Sequence, residues 1–294
     1  MPEGRMGMPK TDSSVRLRHP PSAALRAPPF PLRGKVSCSA AVNQAVGAGA
    51  SVIALRDLIK RRSASGTTFE LSVPALDVPR GGCLALCGES GSGKSTLLDI
   101  LALASRPDSV KAFALSAQAR QRSDVAALWQ RGGTDRLAPL RARHLGYVPQ
   151  TGGLFAFLRV RDNIALPRRL LGMQDDGTVE HLAERLGVAD QLRKKPSALS
   201  VGQRQRVAIA RALAHGPALV LADEPTASVD PATAETVMAL LLEQAAQNGA
   251  AVVVASHDWA RIQKLGLPRL HPRIERHTKD GATLVRSIFD QVHR

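Results

Sequence analysis

Aromatic residues are scarce in this chain: they make up 3% of its 294 residues, so any core must rest on Leu, Val, Ile and Ala. No apolar run approaches the ~18–20 residues that a membrane-spanning helix requires. If the protein works at a membrane, a partner has to supply the spanning part. The three cysteines, Cys38, Cys83 and Cys87, form no metal-binding spacing, which argues against a zinc module. They are expected as small buried hydrophobes in a reducing compartment. In "GCLALCG", Cys83, Ala85 and Cys87 would share one face of a strand.

Acids are outnumbered, 25 against 40 Lys and Arg, for a formal net charge of +15. That balance fits contact with nucleic acid through phosphate neutralisation, or with an anionic membrane surface, or a merely solvated basic face. Net charge bears on association and not on chemistry. Hydrophobic residues at 44% and charged residues at 22% read as a globular chain of one domain, at most two.

Residues 1–50 are rich in Pro, Arg, Ser and Ala without helical or strand period, so disorder is expected there. They lack the charged start, apolar core and cleavage site of a secretory signal. An organelle-targeting peptide, a tail without structural role and an early start site all fit this composition. From Ser51 to residue 294 the signals alternate. "SVIALRDL", "TTFELSVPAL", "CLALCG", "HLGYVPQ", "ALVLADEP" and "AAVVVASHD" read as strands. "STLLDILALAS", "VGQRQRVAIARALAHG" and "ETVMALLLEQAAQNG" read as helices, the last stopped by Gly249. This order predicts an α/β domain with a largely parallel central sheet. A mainly helical stretch over about 151–200 is expected as a subdomain, and Asp280-Gly281 as a hairpin turn.

"GESGSGKST" fits G-x-x-x-x-G-K-[ST] and stands between an apolar strand and a helix, the context that gives the motif meaning. Gly88, Glu89, Ser90, Gly91, Ser92, Gly93, Lys94, Ser95 and Thr96 are therefore the candidate phosphate cradle. Glycines let backbone N–H groups approach phosphate oxygens, and the helix start adds a favourable dipole. Lys94 is expected on the β- and γ-phosphates and the Ser95 hydroxyl on Mg²⁺. In "ALVLADEP", Asp223 and Glu224 follow an apolar strand, at the sheet edge where open α/β folds bind ligands. Asp223 suits the Mg²⁺ shell; Glu224, pointing elsewhere, suits a general base on water.

With these motifs in place, the chain from about Ser51 onward resembles the ATP-binding cassette ATPases, a P-loop NTPase family. The resemblance implies a largely parallel sheet with an antiparallel β part and a helical subdomain. Gln150 in "GYVPQTGG" resembles the glutamine loop, which touches Mg²⁺ or water and senses a permease. "LSVGQ" resembles the family signature, with Val201 where glycine is usual. "SVD", ending in Asp230, resembles the loop that crosses the dimer interface, and His257 in "VVVASHD" the switch histidine. "QRQRVAIARAL" resembles the helix after the signature. Ser200 offers a hydroxyl, Gly202 a backbone N–H and Gln203 an amide at a positively polarised helix start. In the resembled family this start docks on the γ-phosphate held by the other subunit. The family's adenine-stacking aromatic has no match here: pattern alignment puts Arg62 near that place, with Phe69 later.

The resemblance implies an ATP- and Mg²⁺-dependent motor subunit on the cytoplasmic face of a membrane. It would pair with a second cassette and drive membrane permease subunits. The wording around "TGGLFAFLRVRDNIALPRRLLG" is similar to cassettes of lipoprotein-releasing and macrolide-export systems. Two other classes compete: a cassette acting on nucleic acid or ribosomes, and a regulatory module that holds ATP without turnover. The first usually shows fused cassettes, long coiled coils or cysteine clusters, none of which is present, so nucleic acid is not the expected partner. Intact Lys94, Asp223, Glu224 and His257 argue against the second.

Overall fold

The computed structural model describes residues 51–293, apart from 65, 119–120, 133–134 and 280–281. The expectations for residues 1–50, for Cys38 and for the Asp280-Gly281 turn lie outside the described residues. The strands that flank that turn pair antiparallel, with Ala282 opposite Lys279.

Among the described residues ten strands form a single sheet: β1 (Ser51–Ala64), β2 (Thr67–Pro79), β3 (Cys83–Cys87), β4 (Ala112–Gln118), β5 (Gln121–Asp124), β6 (Leu145–Val148), β7 (Leu219–Asp223), β8 (Ala251–Ser256), β9 (Arg269–Lys279) and β10 (Ala282–His293), in the order β5-β4-β1-β2-β10-β9-β3-β8-β7-β6. One end of it is parallel throughout: β3, β8, β7 and, at the edge, β6. β3 and β8 are buried along their whole length, as strands covered on both faces must be. Period-two alternation then divides them between two cores. Cys83, Ala85 and Cys87 join one cluster, while Leu84 and Leu86 join the other. The shared face expected for the cysteine pair is therefore observed. Burial pushes the free Cys87 thiol up to about 11, so it behaves as a hydrophobe.

The first core lies under α4 (Val160–Leu170), α5 (Thr178–Arg185), α6 (Val201–Leu213) and α7 (Pro231–Gln247). Of these, α4 and α5 fall in the stretch expected to be helical, together with short 3-10 turns. The second core joins α1 (Lys94–Leu101) and α2 (Val125–Gly132) to an antiparallel layer of β1 (Ser51–Ala64), β2 (Thr67–Pro79) and β4 (Ala112–Gln118). β5 (Gln121–Asp124) edges that layer, and α3 (Ala138–His144) precedes β6.

β1 runs well past the apolar "SVIALRDL" into Lys60, Arg61 and Arg62. Acids from two places meet the first two of these cations: Lys60 donates to Asp108, next to the isolated bridge of Ile59 with Ser109, at 3.0 Å, and Arg61 donates to its cross-strand partner Glu70 at 2.7 Å. Glu70 is buried and also accepts from Arg286 at 2.6 Å, across the parallel pair of β2 with β10 (Ala282–His293). Burial raises its pKa, and the two guanidiniums outweigh that, leaving it below the usual carboxylate range. β9 (Arg269–Lys279) pairs parallel with β3 and antiparallel with β10, and so joins the two halves of the sheet.

Candidate functional site

The loop between β3 and α1 turns through left-handed backbone at Gly91 (φ 79°) and Gly93 (φ 95°). A side chain at Gly93 would also meet the Phe69 ring at 3.1 Å, so glycine is required there twice over. Ser287 on β10 donates to the Ser92 carbonyl at 2.6 Å and holds the loop from below. With Ser92 anchored and buried, Gly88, Glu89, Ser90, Gly91, Gly93, Lys94, Ser95 and Thr96 line a cavity of about 860 Å³. Gln150, Glu224 and His257 face the same cavity, as do Arg62, Phe69 and Trp259.

Lys94 donates to the carbonyls of Gly88 at 2.8 Å and Glu89 at 3.0 Å, and lies 3.7 Å from the Glu224 carboxylate. Glu224 sits just beyond β7 with φ 45°, a conformation that costs a non-glycine residue of order 1 kcal/mol. Its N–H donates to Ala255 at 3.0 Å, which fixes the residue beside β8. At the end of β8, His257 Nδ1 lies 2.8 Å from Glu224 Oε2. Two adjacent strand ends and the first residue of α1 thus bring a carboxylate, an imidazole and an ammonium to one edge of the cavity. Asp223, one residue before Glu224, turns to the Ser95 hydroxyl, which donates to it at 3.2 Å. Burial raises the Asp223 pKa and Glu224 adds to this, while Ser95 and Lys94 pull against it. A cation at Ser95 and Asp223 would relieve that cost. These hard oxygen donors fit Mg²⁺, which prefers few protein ligands and keeps water and phosphate oxygens. Among the described residues no cluster of three or more His, Cys, Asp or Glu offers a dedicated metal cage.

Ser200, Gly202, Gln203 and Asp230 are absent from the cavity lining. Ser200 caps α6: its hydroxyl accepts from Gln203 N at 3.2 Å, and Gln203 Oε1 accepts from Ser200 N at 2.9 Å. The Ser200 O–H remains able to donate outward. Gly202 has a packing reason as well, since a Cβ there would stand 2.8 Å from the Thr233 methyl. Asp230 caps α7 by accepting from Thr233 N at 3.0 Å. Arg62 and Phe69 are cross-strand partners on β1 and β2, so the two residues weighed for a base platform stand together.

Trp259 went unforeseen. It opens α8 (Trp259–Lys264), stacks on His271 at 3.5 Å between centroids, and lies under the Arg269 guanidinium at 5.8 Å. Its only sequence signal was its place two residues after His257.

A glycine-rich loop leading into a helix that opens on a lysine, and two carboxylates at the end of one parallel strand beside a histidine at the end of the next, together define a P-loop nucleotide-binding domain. The comparisons narrow that class. Residues 71–227 match the family model described as "ABC transporter", and the chain belongs to that family. It is 38% identical over 201 residues to the lipoprotein-releasing system ATP-binding protein LolD of Hyphomonas neptunium, covering 67% of this chain and 84% of the relative. It is 40% identical over 188 residues to the macrolide export ATP-binding/permease protein MacB 1 of Aeromonas hydrophila, covering 63% of this chain. The match spans only 27% of that longer relative. Among solved structures, the dimeric ATP-binding cassette MJ0796 bound to ADP and Pi aligns with a TM-score of 0.64 at 28% identity, over 82% of this chain and 98% of that one. The α/β cassette fold, with its mostly parallel sheet and antiparallel part, is thereby established.

Proposed function

We propose that this chain binds Mg-ATP in the cavity and hydrolyses it as one of a pair of cassettes. In this reading it powers transport by a separate membrane permease, from the cytoplasmic face. The observation that carries the reading is the meeting of Lys94, Glu224 and His257 at one edge of the phosphate-loop cavity, beside Ser95 and Asp223. The relatives' names as ATP-binding transporter proteins, and the dimeric assembly of the structural neighbour, support it. No helix among the described residues is long and apolar enough to cross a membrane, which fits a subunit that depends on a permease.

The loop amides and Lys94 orient the phosphate chain, with Lys94 exchanging its carbonyl partners for phosphate oxygens. Ser95 and Asp223, with Gln150 at the cavity wall, are the groups for Mg²⁺, which when bound neutralises charge on the phosphates. Glu224 accepts a proton from the attacking water as the water oxygen bonds to the terminal phosphorus and the bond from that phosphorus to the β–γ bridging oxygen breaks, releasing ADP and phosphate. His257, already paired with Glu224, orients that carboxylate and can donate to the terminal phosphate. Arg62 and Phe69 form the platform for the base. The capped start of α6, with the outward O–H of Ser200 and the N–H of Gly202, serves the cavity of the second cassette; Gln203 and Asp230 hold that geometry.

Glu224→Gln tests the reading. It removes the proton acceptor while keeping size and polarity, so turnover should fall by about 10²-fold or more with ATP affinity retained. Normal hydrolysis by this variant would take Glu224 out of the role.

A further inference from the structure

Seven large hydrophobic side chains are exposed among the described residues, and Trp259 alone among them borders the phosphate-loop cavity. One face of its indole is covered by His271, while the residue as a whole is 46% exposed. Val201, the departure from glycine in the signature, is another of the seven at 42%. It stands at the first position of α6, beside the Ser200 hydroxyl that does not reach the cavity of its own chain. A glycine at this position would present nothing apolar to water. An exposed apolar group thus sits on each of the two half-sites that the paired-cassette reading brings together.

We propose that Trp259 of one copy receives Val201 of a second copy, an apolar contact that closes the cavity beside His257. The inference rests on the paired reading of function and adds to it the residues that fasten the pair. By two-fold symmetry the contact occurs twice, so its effect on association is doubled. Tryptophan gives large contact area with little rotamer entropy to lose, and His271 and Arg269 already hold this one in place. The contact also accounts for a valine at a position that needs no side chain for phosphate binding. The indole would shield the space around Glu224 and His257 from bulk water as the copies close.

The experiment uses the full chain carrying Glu224→Gln, so that Mg-ATP persists, and measures the monomer–dimer constant by sedimentation. Trp259→Ala should weaken the dimer at least about fivefold and Val201→Ala about threefold, with Trp259→Phe restoring most of the loss. The double variant should be no weaker than Trp259→Ala within about twofold, because the second substitution has no partner left to lose. ATP binding to the monomer should stay unchanged in Val201→Ala, whose side chain is outside the lining of its own chain's cavity. Fluorescence gives a second readout: the chain has two tryptophans and Trp129 is buried, so a concentration-dependent blue shift with ATP reports Trp259. Fully additive losses, or a Trp259→Ala dimer as tight as its parent, would overturn the pairing while leaving the paired function intact. Failure of the parent itself to dimerise with ATP would overturn both.

Discussion

Glu224 is held in a left-handed backbone conformation with its carboxylate between His257 and Lys94. A residue so constrained reaches one place only, which suits a group that must meet a single water. Lys94 has a different circumstance. Its ammonium is buried and spends its hydrogen bonds on the carbonyls of its own loop, a ring that phosphate can replace. Lys94→Ala should lower ATP affinity by at least about tenfold, since a charge-assisted bond to phosphate contributes ~1.5–3 kcal/mol. Calorimetry with a non-hydrolysable analogue measures it, and unchanged affinity would contradict the loop's role. Both residues were legible in the sequence, because each belongs to a short motif with a fixed physical context. Trp259 was not, since a single aromatic after a strand carries no periodicity or spacing to mark it. The capping roles of Ser200 and Asp230 were also hidden: a helix start that serves an external phosphate and one that caps itself use the same residue types.

At the level of elements, the approach of α6 to α7 turns on Gly202. Gly202→Ala would drive a methyl into Thr233 and should cost about 1–3 kcal/mol, the range for overpacking. Thr233→Ser removes the opposing methyl and should recover much of that loss; thermal unfolding of the two variants and their combination decides it. If the combination is no more stable than Gly202→Ala alone, the clash is not the cause. The seam of β1, β2 and β10 makes a second prediction. Glu70 titrates below its ordinary value in the folded state, so its contribution is complete above the unfolded carboxylate pKa. That contribution is lost as pH falls through the lower, folded value. Glu70→Gln should flatten the acid limb of stability and cost ~1.5–3 kcal/mol near neutrality, as expected for hydrogen bonds to charged groups. Denaturant titrations at several pH values check this, and an unaltered acid limb would remove Glu70 from the account. The parallel end of the sheet was readable from buried apolar runs. The cationic end of β1 was not, because Lys60 and Arg61 meet acids contributed from elsewhere in the sequence, and the short β4 and β5 carry too little alternation to mark them.

For the molecule as a whole, the paired reading divides each hydrolytic centre between Lys94 and Glu224 of one copy and Ser200 and Gly202 of the other. Lys94→Ala and Ser200→Arg should each be inactive alone. Mixed in equal amounts they should regain activity, roughly a quarter of the wild-type rate if copies pair at random and each mixed pair keeps one intact centre. Steady-state ATPase assays of the separate and mixed variants read the result; no recovery in a mixture shown to exchange subunits would argue that each copy works alone. Sequence could suggest this division only through resemblance, since nothing within one chain says where a neighbour's helix start will come to rest.

The bond from Ser287 to Ser92 joins the phosphate loop to the last strand, 195 residues away. During synthesis the whole glycine-rich motif therefore leaves the ribosome long before the strand that anchors it. A nascent chain arrested ahead of β10 should retain ATP poorly, and retention should appear only as that strand docks, so nucleotide capture becomes a check on whether β10 has found its place.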